Sequence, residues 1–414
     1  MANNELPLRD VRVLDLTRLL PGGFCSLLLA DLGADVVKVE DTGMGDYVRW
    51  APPFYGSDEH QGLGTRSALY LALNRGKRSI RVDLKSAAGR DAFLDLAGEY
   101  DVVLEGFRPG VLDKLGCGYE SLRAANPRLV YCAITGYGQT GPNTQRAGHD
   151  MNYLGLTGLL GMTGEPQGRP IQSAGQIADL GGGAMMAAVG VLAALRERER
   201  SGEGQLVDIS MTDGALAWLA MVASAYLCDG RVPQRGDGQL NGGFLCYYPY
   251  EASDGWVTCG ALEPKFWRAF CEGVGREDLI EVQFHSPGSD AWREVADVFR
   301  SRTRDEWRAF NDQHDAMIEP VLGLDEALAS DLVHEREMVV ELEQPSLGRL
   351  RLLGLPIKLS RTPGDATRPA PALGEHTEEV LREAGFEGDR VTALLASGAV
   401  AGPSEPVEAA RFMG

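Results

Sequence analysis

The N-terminal part of the sequence alternates between two apolar patterns, and this alternation limits the possible folds more than any other feature. Residues 11–16 are a short β-branched run, residues 24–32 have helical spacing, and residues 36–40 are a second β-branched run. We predict a β-strand, an α-helix and a second β-strand, with a turn at Pro21, Gly22 and Gly23. Such a βαβ unit is the building block of parallel sheets.

The same alternation continues further along the chain. Strands are predicted at residues 79–84, 101–105 and 129–134, and helices at 89–99, 179–200, 208–228 and 377–384. Residues 247–261 alternate like two strands around a turn at Asp254 and Gly255. The sequence therefore predicts an α/β protein with a large, doubly wound, Rossmann-like parallel sheet and a smaller α+β domain.

The length of 414 residues exceeds what one hydrophobic core usually serves, so we expect two domains. We assign residues 1–200 to the large domain, 201–235 to a helical linker and 236–330 to the small domain. Residues 331–414 are proline-spaced, look extended as far as the final helix, and are expected to return to the large domain.

Charge and cysteine content exclude several classes of function. A net charge of −19 argues against a nucleic-acid partner, because such binding depends on lysine and arginine. Seven scattered cysteines without metal-ligand spacing predict buried thiols and no metal site. The N-terminus does not resemble a signal peptide, and no apolar run reaches the roughly 20 residues that span a bilayer. We expect a cytoplasmic protein without membrane contact.

Two basic groups are candidates for phosphate binding, although neither Gly-x-Gly-x-x-Gly nor a P-loop motif follows the first strand. Residues 74–78 read Asn-Arg-Gly-Lys-Arg before a strand, and Phe107 and Arg108, with Lys114 nearby, follow another strand. Loops at the carboxyl ends of strands are where open α/β sheets bind ligands. The alternative for both groups is ordinary solvated charge.

Two positions suit acid–base chemistry. His149 lies beside Asp150, and a histidine with an adjacent carboxylate suits a general base near neutral pH. Asp179 precedes three glycines at a predicted helix start, where backbone N–H groups are accessible. On local grounds each has a structural alternative, because His149 and Asp179 could both serve as helix caps. Glu263 and Asp315 are single carboxylates with no local reason to be catalytic.

Six segments, taken in order, resemble the family III coenzyme A transferases, a group that includes the α-methylacyl-CoA racemases. The resemblance covers nearly the whole chain and is carried by residues 12–16, 30–40, 74–79, 105–110, 135–139 and 374–377. It implies an acyl-CoA enzyme that uses no separate cofactor, because coenzyme A is part of the substrate. It also implies an interlocked homodimer in which the small domain of one chain covers the large domain of the other.

The two branches of this family place an aspartate at the position of Asp179. In transferases it is a covalent nucleophile, and in racemases it carries a proton together with a histidine. Residues 148–153 read Gly-His-Asp-Met-Asn-Tyr, which resembles the racemases. The resemblance therefore favours a 2-methylacyl-CoA racemase or epimerase that works by 1,1-proton transfer, with an acyl-CoA:carboxylate CoA-transferase as the alternative. The insertion at residues 50–73 looks more like the transferases.

Residue roles transfer one position at a time. The resemblance implies that His149 and Asp179 are the two bases, that Asp150 and Glu263 tune His149, and that Glu263 acts across the dimer. Backbone N–H groups after Asp179 are candidate donors to an enolate oxygen. Coenzyme A and the acyl thioester are expected to contact a longer set of residues: Lys38, Val82, Leu84, Lys85, Gly106, Phe107, Arg108, Lys114, Gly148, Met151, Asn152 and Tyr153.

Overall fold

The protein, described here from a computed structural model, forms two compact units. The structure describes residues 6–56, 66–345 and 347–403. The large unit takes in the described residues of three chain segments, Met1–Thr157, Gly175–Trp218 and Leu332–Gly414. The small unit takes in two segments, Gly158–Ala174 and Leu219–Asp331.

A seven-stranded sheet forms the centre of the large unit. Its strands are β1 (Arg12–Asp15), β2 (Asp35–Glu40), β3 (Arg78–Val82), β4 (Val102–Glu105), β5 (Val130–Thr135), β6 (Leu206–Ser210) and, numbered by its place in the chain, β12 (Val400–Ala401). The order is β12-β3-β2-β1-β4-β5-β6, and strands β1 to β6 all run parallel to one another. The predicted α/β, doubly wound class is confirmed, with β12 added antiparallel to β3.

Helices accompany this sheet along the chain. Those of the large unit are α1 (Leu19–Asp31), α2 (Ala68–Asn74), α3 (Ala87–Ala97), α4 (Val111–Lys114), α5 (Tyr119–Ala125), α6 (Asp150–Leu156), α8 (Met186–Ser201), α9 (Met211–Ala217), α16 (Thr377–Glu383) and α17 (Gly388–Ala396), with a 3₁₀ turn at Tyr47–Trp50. Strands β4 and β5 are buried at every position. This is what the sequence predicts for strands covered on both faces.

Two local predictions in this unit are wrong. Helix α1 begins at Leu19, so the predicted turn at Pro21 lies in its first turn, where a missing backbone N–H costs nothing. The predicted helix at 208–228 is preceded by a strand, because Leu206–Ser210 pairs with β5. This short edge strand is only partly buried and so lacks the apolar run of its neighbours.

The C-terminal segment is more regular than the extended chain that its prolines predict. It contains a hairpin of β10 (Val339–Gln344) and β11 (Gly348–Leu353), and the helix α17 follows the correctly predicted α16. The chain then returns to the sheet, because Val400 of β12 pairs with Val82 of β3.

The small unit is an α+β structure, as predicted. Strands β7 (Tyr247–Ala252), β8 (Gly255–Gly260) and β9 (Ile318–Pro320) form an antiparallel sheet, with β7 and β8 joined at the predicted turn. Its helices are α7 (Leu159–Met162), α10 (Ala220–Asp229), α11 (Pro264–Gly273), α12 (Asp290–Arg300), α13 (Arg304–His314) and α14 (Leu324–Leu328), with a 3₁₀ helix at Glu277–Val282. Helix α15 (Asp331–Glu335) begins at the last residue of the small unit and otherwise belongs to the large unit. Stacked aromatic rings fill the core, as with Phe299 between Tyr250 and Phe270.

One long helix carries the predicted catalytic aspartate. A π-helical segment, Ile177–Met185, continues directly into α8. The whole stretch, Ile177–Ser201, is long and apolar enough to cross a membrane by length and composition alone. Half of its most apolar window is buried within the protein, and core helices of globular proteins pass the same test.

Glycines allow this helix to lie directly on α9. A Cβ atom at Gly214 would overlap the carbonyl oxygen of Gly182, and one at Gly182 would lie 2.7 Å from the carbonyl oxygen of Met211. Both positions are buried. Only glycine therefore permits the contact that fixes the start of the long helix.

We predict that Gly214→Ala destabilises the protein by about 1–3 kcal/mol, because the added methyl group forces two backbones apart. Gly388→Ala is the matched control, since Gly388 is exposed on α17 and an added methyl group there would meet no atom within 4 Å. Urea unfolding measures both. Equal stabilities for the two variants would contradict the proposed contact.

Candidate active site

A cavity of about 580 Å³ opens at the carboxyl ends of the strands in the large unit. The loops after β1 and β4 both line it, and the strand order reverses between these two neighbours. This is the switch point at which open α/β sheets bind ligands. The cavity is lined by Thr17, Arg18, Leu19, Leu20, Pro21, Gly22, Leu69, Gly106, Phe107, Arg108, Pro109, Ile134, Thr135, Gly136, Tyr137, Thr144, Arg146, Ala147, Gly148, His149, Asn152, Tyr153, Asp179 and Met211.

The loop after β1 is held from beneath by buried charges. Asp15 accepts the backbone N–H of Thr17 at 2.9 Å, and Lys38 Nζ donates to the carbonyl oxygen of Thr17 at 3.0 Å. Lys38 also pairs with Asp46 at 2.7 Å, and Asp46 accepts the N–H of Leu19 at 3.2 Å. These bonds fix the backbone from which Arg18 and Leu19 reach the cavity.

The basic group at residues 74–78 belongs to the same buried framework, so its prediction as a phosphate site is wrong. Lys77 Nζ lies 3.3 Å from Asp15 and 2.7 Å from the hydroxyl of Ser26. Arg75 pairs with Asp31 at 2.6 Å, and both side chains are buried. Burial lowers the pKa of Lys77 to about 8 although Asp15 opposes the shift. These cations are already neutralised within the fold.

The second basic group lies where the sequence predicts a ligand loop. Gly106, Phe107 and Arg108 line the cavity, and the Arg108 side chain is exposed. Glu105, at the end of β4, accepts the backbone N–H of Phe107 at 2.7 Å. The loop therefore presents a cation to the cavity and is held by a carboxylate behind it.

His149 lies at the boundary between an extended loop and α6. Its backbone is extended, and its N–H donates to Oδ1 of Asn152 at 3.0 Å, which caps the helix start. Tyr153 donates its hydroxyl to the carbonyl oxygen of Gly148 at 2.6 Å, and its ring packs edge-on against Tyr137. The imidazole of His149 is thus delivered to the cavity by a braced backbone.

Asp150 joins the two predicted bases. Its Oδ1 accepts the backbone N–H groups of Ala178, at 2.7 Å, and of Asp179, at 2.9 Å. Asp150 is only 6% exposed, so these bonds form away from water. Asp150, the residue after His149, thereby links the start of α6 to the first turn of the helix that carries Asp179.

The environment of Asp179 raises its pKa to about 6 from an ordinary 3.8. Burial is the largest cause, the negative charge of Asp150 adds to it, and the charge of His149 acts in the opposite direction. Both Asp179 and His149 line the cavity. Asp179 is therefore a carboxylate whose two protonation states are both accessible near neutral pH.

The predicted enolate donors are only partly available. The N–H of Asp179 is bonded to Asp150, and the N–H of Leu180 donates to the carbonyl oxygen of Gln176 at 2.9 Å. The glycines that follow are buried and serve the contact with α9. These first donors stabilise the helix start and would have to break their bonds to reach a ligand.

The other predicted site residues lie apart from the cavity lining. Lys38 is buried and would have to open its bond to Asp46 to contact a phosphate. Val82 is buried in β3, Leu84 is half-buried after it, and Lys85, Lys114 and Met151 are exposed. Glu263 is exposed in the small unit, at the N-cap of α11. Their roles stay predictions.

Sequence reasoning missed two arginines of the cavity, Arg18 and Arg146. The guanidinium of Arg18 lies 5.1 Å from the ring centre of Tyr47 and 5.7 Å from that of Phe107, and it pairs with Asp41 at 3.2 Å. The position of Arg18 in the loop after β1 could have identified it from the sequence, since that loop faces the switch point. Arg146 lies on a long loop whose path no local pattern predicts.

Comparison with known proteins places this geometry in a family. The model of CoA-transferase family III matches residues 8–377. The chain belongs to CoA-transferase family III. It is therefore an enzyme of that family, as the six sequence segments predict.

The relatives of this family member include both branches. Succinyl-CoA:mesaconate CoA-transferase of Haloarcula marismortui is 38% identical over 92% of this chain and 97% of the relative. α-Methylacyl-CoA racemase of Mus musculus is 37% identical over 94% and 96%. A solved CAIB/BAIF family protein from Brucella suis superimposes with a TM-score of 0.79 at 32% identity, covering 92% of this chain and all of that one.

We predict that Asp179→Asn stabilises this family III protein at pH 7.5. The folded pKa, about 6, lies above the unfolded value of 3.8, so ionisation above pH 6 costs folding energy. The gain should be about 1–3 kcal/mol. It should shrink as the pH falls below 6 and should be lost only below the unfolded value of 3.8, where both states are protonated.

Urea unfolding at pH 7.5 and 4.5 tests this, with Asp91→Asn as the control. Asp91 is an exposed carboxylate whose ion pair with Arg90 is at the surface, where such pairs contribute little. A stabilisation by Asp179→Asn that is the same at both pH values would contradict the account.

Proposed function

We propose that this enzyme inverts the carbon next to the thioester of an acyl-CoA, acting as a racemase or epimerase on a 2-methylacyl-CoA type of substrate. The observation that supports this most is that His149 and Asp179 line one cavity, where the charge of His149 acts on Asp179. Inversion needs two bases, one on each side of a single carbon. Transfer of coenzyme A needs one carboxylate nucleophile, and His149 would have no part in it.

The proposed reaction moves one proton off the carbon and another onto it. One base removes the proton, and the electron pair of the C–H bond passes into the carbonyl, which gives an enolate. The other base, protonated at the start, then delivers its proton to the opposite face of the same carbon. In the reverse direction the two residues exchange roles.

The raised pKa of Asp179 suits this exchange. With a pKa of about 6, roughly one molecule in ten carries the proton on Asp179 at pH 7, so the donor form is available. An ordinary aspartate would be protonated about a hundred times less often. The ionised form remains in the majority and serves as the base for the other enantiomer.

Coenzyme A is proposed to lie along the loop of Gly106, Phe107 and Arg108, with the acyl thioester towards Gly148, Asn152 and Tyr153. This proposal is supported by the exposed Arg108 and by the shared cavity. No separate cofactor enters the reaction, because the thioester itself makes the neighbouring C–H acidic. A homodimer that brings Glu263 to His149 is part of the same proposal.

The alternative is an acyl-CoA:carboxylate CoA-transferase, which the names of several relatives favour. Besides the Haloarcula protein, succinyl-CoA:glutarate CoA-transferase of Homo sapiens is 32% identical over 96% of this chain and 91% of the relative. In that reaction the ionised Asp179 would attack the thioester carbonyl, expel the coenzyme A thiolate and form a mixed anhydride.

Deuterium incorporation separates the two reactions. We expect wild-type enzyme in deuterated water to place deuterium at C2 of a 2-methylacyl-CoA without any acceptor acid, and to interconvert its enantiomers. His149→Ala and Asp179→Asn should each lower this exchange by a factor of about 100 or more, since either loss removes one of two bases.

Hydroxylamine trapping provides the opposing result. A transferase would require an acceptor carboxylate, would exchange no deuterium in its absence, and would yield an Asp179 adduct with hydroxylamine. Asp91→Asn is the control for both assays, because Asp91 is an exposed residue outside the cavity lining. Acceptor-dependent activity that survives His149→Ala would overturn the racemase proposal.

A further inference from the structure

The proposed mechanism does not use Glu105, a buried carboxylate behind a loop that lines the cavity. Glu105 is the last residue of β4 and is 4% exposed. Its Oε2 accepts the backbone N–H of Phe107 at 2.7 Å, and Phe107 belongs to the loop that lines the cavity. Glu105 therefore acts on the ligand loop from behind.

Among the described groups that act most strongly on Glu105, none is a cation. Tyr131 of β5 donates a side-chain hydrogen bond to it, while the charges that act on it are those of Asp113, on α4, and Asp208, on β6. Cys132 is buried nearby. Burial raises the pKa of Glu105 to about 7, and the two carboxylates add to this rise, although the bonds from Phe107 and Tyr131 oppose it. An uncompensated carboxylate is costly in such a place.

We propose that Glu105 is a positioning residue for the coenzyme A loop, and that it takes up a proton when the anionic ligand binds. The inference rests on the proposed placement of coenzyme A at Gly106, Phe107 and Arg108. It does not depend on which reaction, racemisation or transfer, follows.

The physical reason is linkage between two negative charges. A bound ligand brings phosphate charge to the loop and removes water from it, and both effects favour the neutral form of a carboxyl group behind the loop. The free enzyme holds Glu105 ionised in part of its molecules near pH 7. Binding shifts this balance, so protons must be taken from the buffer.

Calorimetric titration with coenzyme A itself tests the proposal, because this probe binds without turnover. Titrations at pH 7 in buffers of different ionisation enthalpy give the number of protons taken up. We expect wild-type enzyme to take up about half a proton more than Glu105→Gln. Wild-type affinity, relative to the variant, should fall by up to about tenfold as the pH rises from 6 to 9.

Two further variants keep the result interpretable. Glu120→Gln, an exposed glutamate on α5, should behave like the wild type. Tyr131→Phe removes a bond that lowers the pKa of Glu105, so its extra proton uptake should move to higher pH. This arm still tests the inference if Glu105→Gln fails to fold.

The outcomes separate this inference from the proposed placement of the ligand. Equal proton uptake by wild type and Glu105→Gln, or unchanged uptake in Tyr131→Phe across the pH range, would overturn the role of Glu105. Arg108→Ala tests the placement, and a Kd for coenzyme A that this variant leaves unchanged would overturn both. The deuterium assay is independent of either result.

Discussion

The site depends on the pair of hydrogen bonds that Asp150 accepts from Ala178 and Asp179. These bonds join two chain segments that are far apart in sequence, the start of α6 and the start of the long helix. His149 directly precedes Asp150, and its own backbone N–H is held by Asn152. Burial raises the pKa of Asp179 most, and the negative charge of Asp150 adds to this rise.

Other carboxylates of the sheet also accept backbone N–H groups of nearby loops. Asp15 holds Thr17, Glu105 holds Phe107, and Asp208 accepts the N–H of Gln139 at 3.0 Å. In each case a carboxylate at a strand fixes the backbone of a nearby loop. Loops of this kind need rigid support if they are to place reacting groups within a fraction of an ångström. Lys77 pairs with Asp15, whereas no cation is among the described groups that act most strongly on Glu105.

The sequence predicted the fold class well because apolar periodicity controls it. The parallel strands of the large unit are buried runs, and such runs are visible without any tertiary information. The edge strand Leu206–Ser210 was mistaken for helix because it is only partly buried. The basic residues at 74–78 were mistaken for a ligand site because their partners, Asp15 and Asp31, lie far away in sequence.

The site itself was predicted chiefly from the resemblance of six ordered segments to the family, since His149 and Asp179 each resemble a helix cap when considered alone. Local reasoning could not show that Asp150 bonds to the first turn of the other helix. It also missed Arg18, whose importance depends on two aromatic rings from different loops.

The chemistry of the site depends most on the Asp179 carboxylate, whose pKa is set by burial, by Asp150 and by His149. The most direct test is a ¹³C NMR titration of the Asp179 carboxyl, assigned by its loss in Asp179→Asn. The account predicts a pKa of about 6 in the wild type, a lower value in Asp150→Asn and a higher one in His149→Ala. An ordinary value near 3.8 that neither substitution changes would contradict it.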